Sequence, residues 1–198
     1  LALLGVISVL MMLEPHLSGT VLIVATGAVL MIVGGIHAWL VAAGVTGVGV
    51  IGFLFVKLAE AGVIKYGASR IEMWHDPWLD YYGKGYQLAQ SLITIGSGGL
   101  FGVGLGQGTP EKIPAYYNDF IFAVICEQLG QVFGVLLLAV YVLLILRGVT
   151  VVARARRSFE MLLGCGVLAM LGIQTFMIVA GVIKMIPLTG VTMPFLSY

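Results

Sequence analysis

Two acids set the chemical possibilities of this chain: Asp119, at the head of the run Asp119-Phe120-Ile121-Phe122-Ala123, and Glu127, further along the same apolar stretch. Charge beside or inside a membrane segment is expensive, so it is kept where it has a partner or a task. Asp119 has two readings. Following Asn118 at the start of an apolar helix, it can favour the positive end of that helix. A carboxylate at a helix mouth can equally serve as a general base toward a hydroxyl brought within hydrogen-bond reach. Glu127 reads as lying two turns deeper on roughly the same helical face, as much a structural partner of a buried cation or polar helix as a reactive group. Cys126 and Cys165 lie in apolar runs with no Cys-x-x-Cys or Cys/His spacing, and His16, His37 and His75 are dispersed. The cysteines read as buried hydrophobes, and no metal site is expected of them.

The elements that hold these groups are membrane helices. Only 10% of the 198 residues are charged and 60% are hydrophobic, against about 25% charged in an ordinary soluble domain. Stretches near the roughly 20 apolar residues needed to cross a bilayer run over 17–36, 38–56, 120–146 (interrupted by Glu127) and 161–183, whereas 1–13 is too short to cross. The chain begins inside an apolar segment and reads as an internal piece of a larger protein. Its net charge of +1, with no basic stripe outside one short loop, argues against a nucleic-acid partner.

Arg147, Arg154, Arg156 and Arg157 stand against Glu160 in the link between two apolar helices. Short loops rich in Lys and Arg stay cytoplasmic, which puts Asp119 and 184–198 outside. The segment before Asp119 is long. Its first part carries Trp74, Trp78, Tyr81 and Tyr82, and aromatics at that density suit the headgroup zone more than a sugar platform. Its second part, Tyr86 to Pro110, is uncharged, with Gln87, Gln90, Ser91, Thr94 and Ser97 on one face opposite Leu88, Leu92 and Ile95. That pattern predicts an amphipathic helix, interfacial or re-entrant rather than lipid-surrounded. Gly98, Gly102 and Gly106, like Gly130 and Gly134, recur at four-residue steps that suit close helix packing. A phosphate loop is disfavoured, because no strand precedes these glycines and no Gly-Lys-Ser/Thr ending follows.

The fold class expected is therefore all-α: a polytopic transmembrane helix bundle with a long extracellular loop. One integral membrane domain is expected over 1–198, with transmembrane helices in 1–58, the extracellular loop at 59–118, a crossing at 119–146, a cytoplasmic link at 147–158, a crossing at 159–183 and an outer loop at 184–198.

The motifs, taken in order, resemble one family. Gly85-Tyr86-Gln87, Gln90-Ser91, Ile95 through Gly106, Asp119-Phe120-Ile121-Phe122-Ala123, Glu127-Gln128-Leu129-Gly130 and Pro187 through Tyr198 are similar to the SEDS family, the FtsW/RodA/SpoVE-type proteins of shape, elongation, division and sporulation. Glu14-Pro15-His16-Leu17-Ser18-Gly19-Thr20 looks like that family's Pro-Asp-Leu-Gly-Thr turn, with His16 in place of Asp and Ser18 inserted. Ala115 and Gln128 stand where the family usually has Glu.

The resemblance implies a protein of about ten transmembrane helices in the bacterial cytoplasmic membrane, of which this chain is the middle and C-terminal part. It implies polymerisation of lipid II into glycan strands beside a class B penicillin-binding protein and other divisome or elongasome membrane proteins, with undecaprenyl diphosphate leaving. The family's essential carboxylate maps onto Asp119. Arg70, Lys112 and Lys184, or a divalent cation such as Mg or Mn, would then face the diphosphate, with Gln87, Ser97 and Glu127 as further substrate-binding residues. A lipid II flippase, with Glu127, Gln128, Gln131 and Gln174 lining a path, and a non-catalytic scaffold of the cell-wall machinery are the other readings.

Overall fold

The computed structural model describes residues 2–13, 17–37, 39–40, 42–44, 46–47, 57, 68–114 and 116–197. Regular structure among them is helical throughout: α1 (Ala2–Leu13), α2 (Leu17–Val33), α3 (Ala68–His75), α4 (Tyr86–Gly98), α5 (Ile121–Leu129), α6 (Gln131–Val152) and α7 (Ser158–Val182), with a 3-10 turn at Pro110–Lys112. The 14–16 part of the proposed turn and most of the 38–56 span lie outside the described residues.

Two of these helices are long and apolar enough to cross a membrane, α6 with 22 residues and α7 with 25. At 1.5 Å per residue they reach about 33 and 38 Å, enough for a hydrocarbon core of about 30 Å. Both are apolar on every side, as a helix surrounded by lipid and other helices must be. Val135, Leu136, Val140 and Leu143 of α6 point outward. The helix continues through Arg147 to Val152, so the link to α7 is 153–157, shorter than the expected 147–158. Arg157 pairs with Glu160 at 3.9 Å across that corner, with both side chains exposed.

The expected single crossing at 119–146 is two helices, and the break is at Gly130. Its φ is +92°, and a β-carbon there would stand 2.3 Å from the Leu100 carbonyl oxygen. Only glycine fits such a place. Beyond it the chain doubles back. A β-carbon on Gly134 would meet Cys126 Sγ at 2.7 Å and the Phe122 ring at 3.4 Å, whereas residues 122 and 134 of a straight helix would be about 18 Å apart. Glu127 therefore lies beside the turn and Asp119 at the far end of α5. Glu127 still lies about two turns along from Asp119, as expected, but near the end of the short α5 and not within one continuous crossing helix, and that continuity is corrected.

α4 has 13 residues, about 20 Å, too short to cross. Its polar stripe faces inward: Gln90, Ser91 and Thr94 are buried with Leu88 and Ala89. Tyr81 Oη donates to Gln90 Oε1 at 3.2 Å. Ser91 Oγ reaches the carbonyls of Leu88 at 2.8 Å and Val182 at 3.4 Å. At its end Gly98 lies against α5, where a β-carbon would be 2.2 Å from the Cys126 carbonyl oxygen. Gly98 is thus a helix-packing glycine, but Gly102 and Gly106 are not; they sit in a loop at φ +81° and +73°. That loop is stitched to the α5–α6 turn by Val103 N–H to Glu127 O (2.9 Å), Gly104 N–H to Gln128 O (3.0 Å) and Gln131 N–H to Gly99 O (3.0 Å).

The chain forms two compact units, Leu1–Ala68 with Leu144–Ile173, and Ser69–Leu143 with Gln174–Tyr198. In the first, small residues let helices approach: Gly166 meets Leu30, Gly148 meets Leu168 and Gly164 meets Val152. In the second, Ile113, Phe120, Phe122, Ala123, Cys126, Tyr141, Ile178, Val179, Val182 and Met193 form one core. Each large side chain buried there contributes about 1.5–3 kcal/mol, and this core carries the loops around Asp119.

Candidate active site

Asp119 sits in the turn 116–120 that leads into α5. Ile113 and Phe120 are both fully buried, so the segment that bears Asp119 is pinned at each end. The N-cap residue of α5 is Phe120, and no side chain caps the helix. Asp119 directly precedes that N-cap residue, so it makes no capping hydrogen bond, and only attraction to the positive end of α5 is left of the helix-start reading. That carboxylate is half-buried. Desolvation raises its pKa above the ordinary carboxylate value, and the positive charge of Arg70, exposed on α3, opposes part of the rise.

Facing Asp119 is the segment 187–197. A β-carbon on Gly190 would lie 3.8 Å from Asp119 Oδ2, and Gly190 has φ +64°. The segment has no helix or strand of its own, so its position comes from side chains that bind its backbone. Gln174 Nε2 donates to Thr192 O at 2.9 Å, and Tyr141 Oη donates to Pro194 O. Ser197 Oγ donates to Asn118 O at 2.7 Å and accepts from Met193 N–H at 2.8 Å.

The other sequence candidates fall in different places. Lys184 Nζ donates to His75 O at 3.2 Å and Trp74 Nε1 donates to Lys184 O at 3.1 Å, so both side chains hold the end of α3 to the end of α7. Lys112 is exposed in the 3-10 turn and Gln87 is half-buried on α4. Ser97 Oγ donates to Thr94 O at 2.8 Å within its own helix. Glu127 is buried at the other end of α5 from Asp119, where Oε1 accepts from Thr109 N–H at 3.2 Å and Oε2 has no hydrogen-bond partner among the described residues. Gly108 packs on it so closely that a β-carbon there would be 2.5 Å from Oε2. Asp119 and Arg70 are thus related electrostatically, and Glu127 belongs to the glycine loop. No three His, Cys, Asp or Glu side chains gather among the described residues. Sequence reasoning assigned no role to Asn118, Gly190 and Ser197; the Gly and Pro punctuation of 187–197 marks a loop, but not what the loop faces.

A helical membrane protein with a half-buried acid between a turn and a facing loop is the class defined so far. The chain belongs to the FtsW/RodA/SpoVE family of cell cycle proteins, whose model matches residues 1–198. It is 43% identical over 136 residues to the peptidoglycan glycosyltransferase RodA of Mycobacterium tuberculosis, covering 69% of this chain and 29% of that protein. It is 36% identical over 208 residues to a probable peptidoglycan glycosyltransferase FtsW of Coxiella burnetii (99% and 53%), and 35% identical over 192 residues to stage V sporulation protein E of Bacillus subtilis (96% and 51%). A solved structure concerned with how a peptidoglycan synthase complex coordinates polymerization and crosslinking superposes with a TM-score of 0.72 at 25% identity, over 97% of this chain and 52% of that one. The chain spans about half the length, or less, of these relatives.

Proposed function

We propose that this chain carries the catalytic centre of a peptidoglycan glycosyltransferase that polymerises lipid II in the bacterial cytoplasmic membrane, with the site facing outward beside a class B penicillin-binding protein. The observation that carries this reading is Asp119: half-buried, outside the helix cap, facing Gly190 and within the field of Arg70. The names of the relatives support the reaction, and the arginine-rich link supports the orientation.

In this reading the 4-hydroxyl of one lipid II attacks the anomeric carbon of another, with inversion, and undecaprenyl diphosphate departs. A sugar hydroxyl is a weak nucleophile, so a carboxylate that takes its proton as the bond forms lowers the barrier. Burial helps, since a base whose pKa rises toward the working pH takes a proton more readily. The leaving diphosphate needs positive charge rather than a proton, and Arg70, whose charge acts on Asp119, is the cation this reading assigns to it.

The transporter reading draws less support, because three of the groups that would line its path are engaged locally. Glu127 accepts from Thr109 N–H, Gln131 Nε2 donates to Ile95 O at 3.4 Å and Gln174 Nε2 donates to Thr192 O. Purified lipid II and the full-length protein with its partner, followed by gel analysis of the glycan product, test the proposal; formation of polymer that depends on Asp119 is the expected result.

A further inference from the structure

A general base must be held in place, and the side chain of Asp119 makes none of the cap bonds that would fix it from within α5. Its immobility has to come from its neighbours. On one side Phe120 is fully buried in the core. On the other, the Asn118 carbonyl accepts a hydrogen bond from Ser197 Oγ at 2.7 Å. The same hydroxyl accepts from Met193 N–H at 2.8 Å, and Met193, 1% exposed, shares a core cluster with Phe120. A serine hydroxyl has one proton to donate and two lone pairs, so both bonds form at once. Ser197 thereby ties the residue before Asp119 to the loop whose Gly190 the carboxylate faces. The loop is anchored in turn from α6 by Tyr141 and from α7 by Gln174.

We infer that Ser197 is a positioning residue for Asp119: its hydroxyl sets the Asn118 peptide, and with it the carboxylate, against the 187–197 loop. This rests on the reading of Asp119 as the base. Ser197 touches no reacting atom. A displacement of about 1 Å at a reacting group costs up to roughly 100-fold in rate, and one hydrogen bond at the peptide next to the base is the size of constraint that prevents it.

The test uses the full-length protein with its partner, purified lipid II and steady-state kinetics alongside thermal unfolding. Ser197→Ala should lower kcat by roughly 10- to 100-fold with apparent KM within about twofold, the pattern of a lost interaction with the reacting groups rather than with bound substrate. Ser197→Thr keeps the hydroxyl and should restore most of the rate, whereas the nearly isosteric Ser197→Val should not. The Thr and Val pair decides the matter even if the alanine variant accumulates poorly. Equal activity of Thr and Val variants, or a loss in kcat that merely tracks the folded fraction, overturns the inference. Asp119→Asn run in parallel separates the two ideas: if it keeps its activity the base assignment fails, whereas an inactive Asp119→Asn beside a fully active Ser197→Val removes only the positioning role.

Discussion

The Asp119 carboxylate stands at van der Waals distance from the place where a side chain on Gly190 would begin: 3.8 Å separates Oδ2 from that β-carbon position. Gly190 adopts φ +64°, a left-handed conformation that costs other residues about 1–2 kcal/mol. Gly190→Ala should therefore lower stability by about that amount. It should reduce activity modestly, because the added methyl meets the carboxylate without clashing. Unfolding curves of the purified variant check the first part and lipid II polymerisation the second. A variant as stable as the parent would contradict the left-handed backbone.

The pH dependence of the rate follows from the two influences on Asp119. Desolvation raises its pKa and Arg70 lowers it. A base works only when ionised, so activity should fall on the acid side with a midpoint above the ordinary carboxylate value. Arg70→Gln removes the charge that favours ionisation, and the acid-side midpoint should move to higher pH. A midpoint that moves to lower pH, or stays fixed, would separate Arg70 from Asp119.

Stability carries the opposite sign from activity at this residue. A carboxyl whose pKa is raised by folding contributes stability below its unfolded value, and that contribution is lost as pH rises through the folded value. Once ionised, the half-buried Asp119 is thus a burden on the fold. Asp119→Asn should leave thermal stability unchanged or raise it, in contrast to most changes at partly buried sites. Comparing melting temperatures at acid and neutral pH checks this, and the benefit of Asn should shrink toward acid pH.

Gly108 and Glu127 form a second coupled pair, at the other end of α5. A β-carbon on Gly108 would lie 2.5 Å from Glu127 Oε2 and 2.8 Å from its Cδ, and the acid is only 4% exposed, so it has little room to give way. Gly108→Ala should cost about 1–3 kcal/mol, the usual range for overpacking. Shortening the acid with Glu127→Asp should recover part of that loss in the double variant, a coupling that a double-mutant cycle measures. Additive effects would mean that the two residues do not share the space.

Sequence reasoning reached the helical membrane class and the amphipathic α4, and singled out Asp119 as a candidate, because each rests on local signals: long apolar runs, three-to-four residue spacing and a named motif. It took 119–146 as one crossing because Phe120 to Leu146 is apolar almost without interruption, and hydropathy does not register a left-handed glycine. The space for a side chain at Gly130 is closed by the backbone of Leu100, Phe101 and Gly102 in the loop after α4, a contact distant in sequence. For the same reason the four-step glycines 98, 102 and 106 looked alike, although only Gly98 packs helix on helix. Lys184 showed its charge in the sequence but not its engagement with the His75 carbonyl. Ser197 was visible only as part of a motif, since its role depends on which backbone groups the 187–197 loop meets.

The most direct measurement is the rate of lipid II polymerisation by full-length Asp119→Asn protein together with the proposed penicillin-binding partner. Asparagine preserves shape and hydrogen bonding but lacks the basic oxygen. The expected result is a fall of roughly 10²- to 10⁴-fold with normal membrane insertion, partner binding and lipid II binding. Near-parental polymerisation by a well-folded Asp119→Asn protein would contradict the assignment of Asp119 as the base.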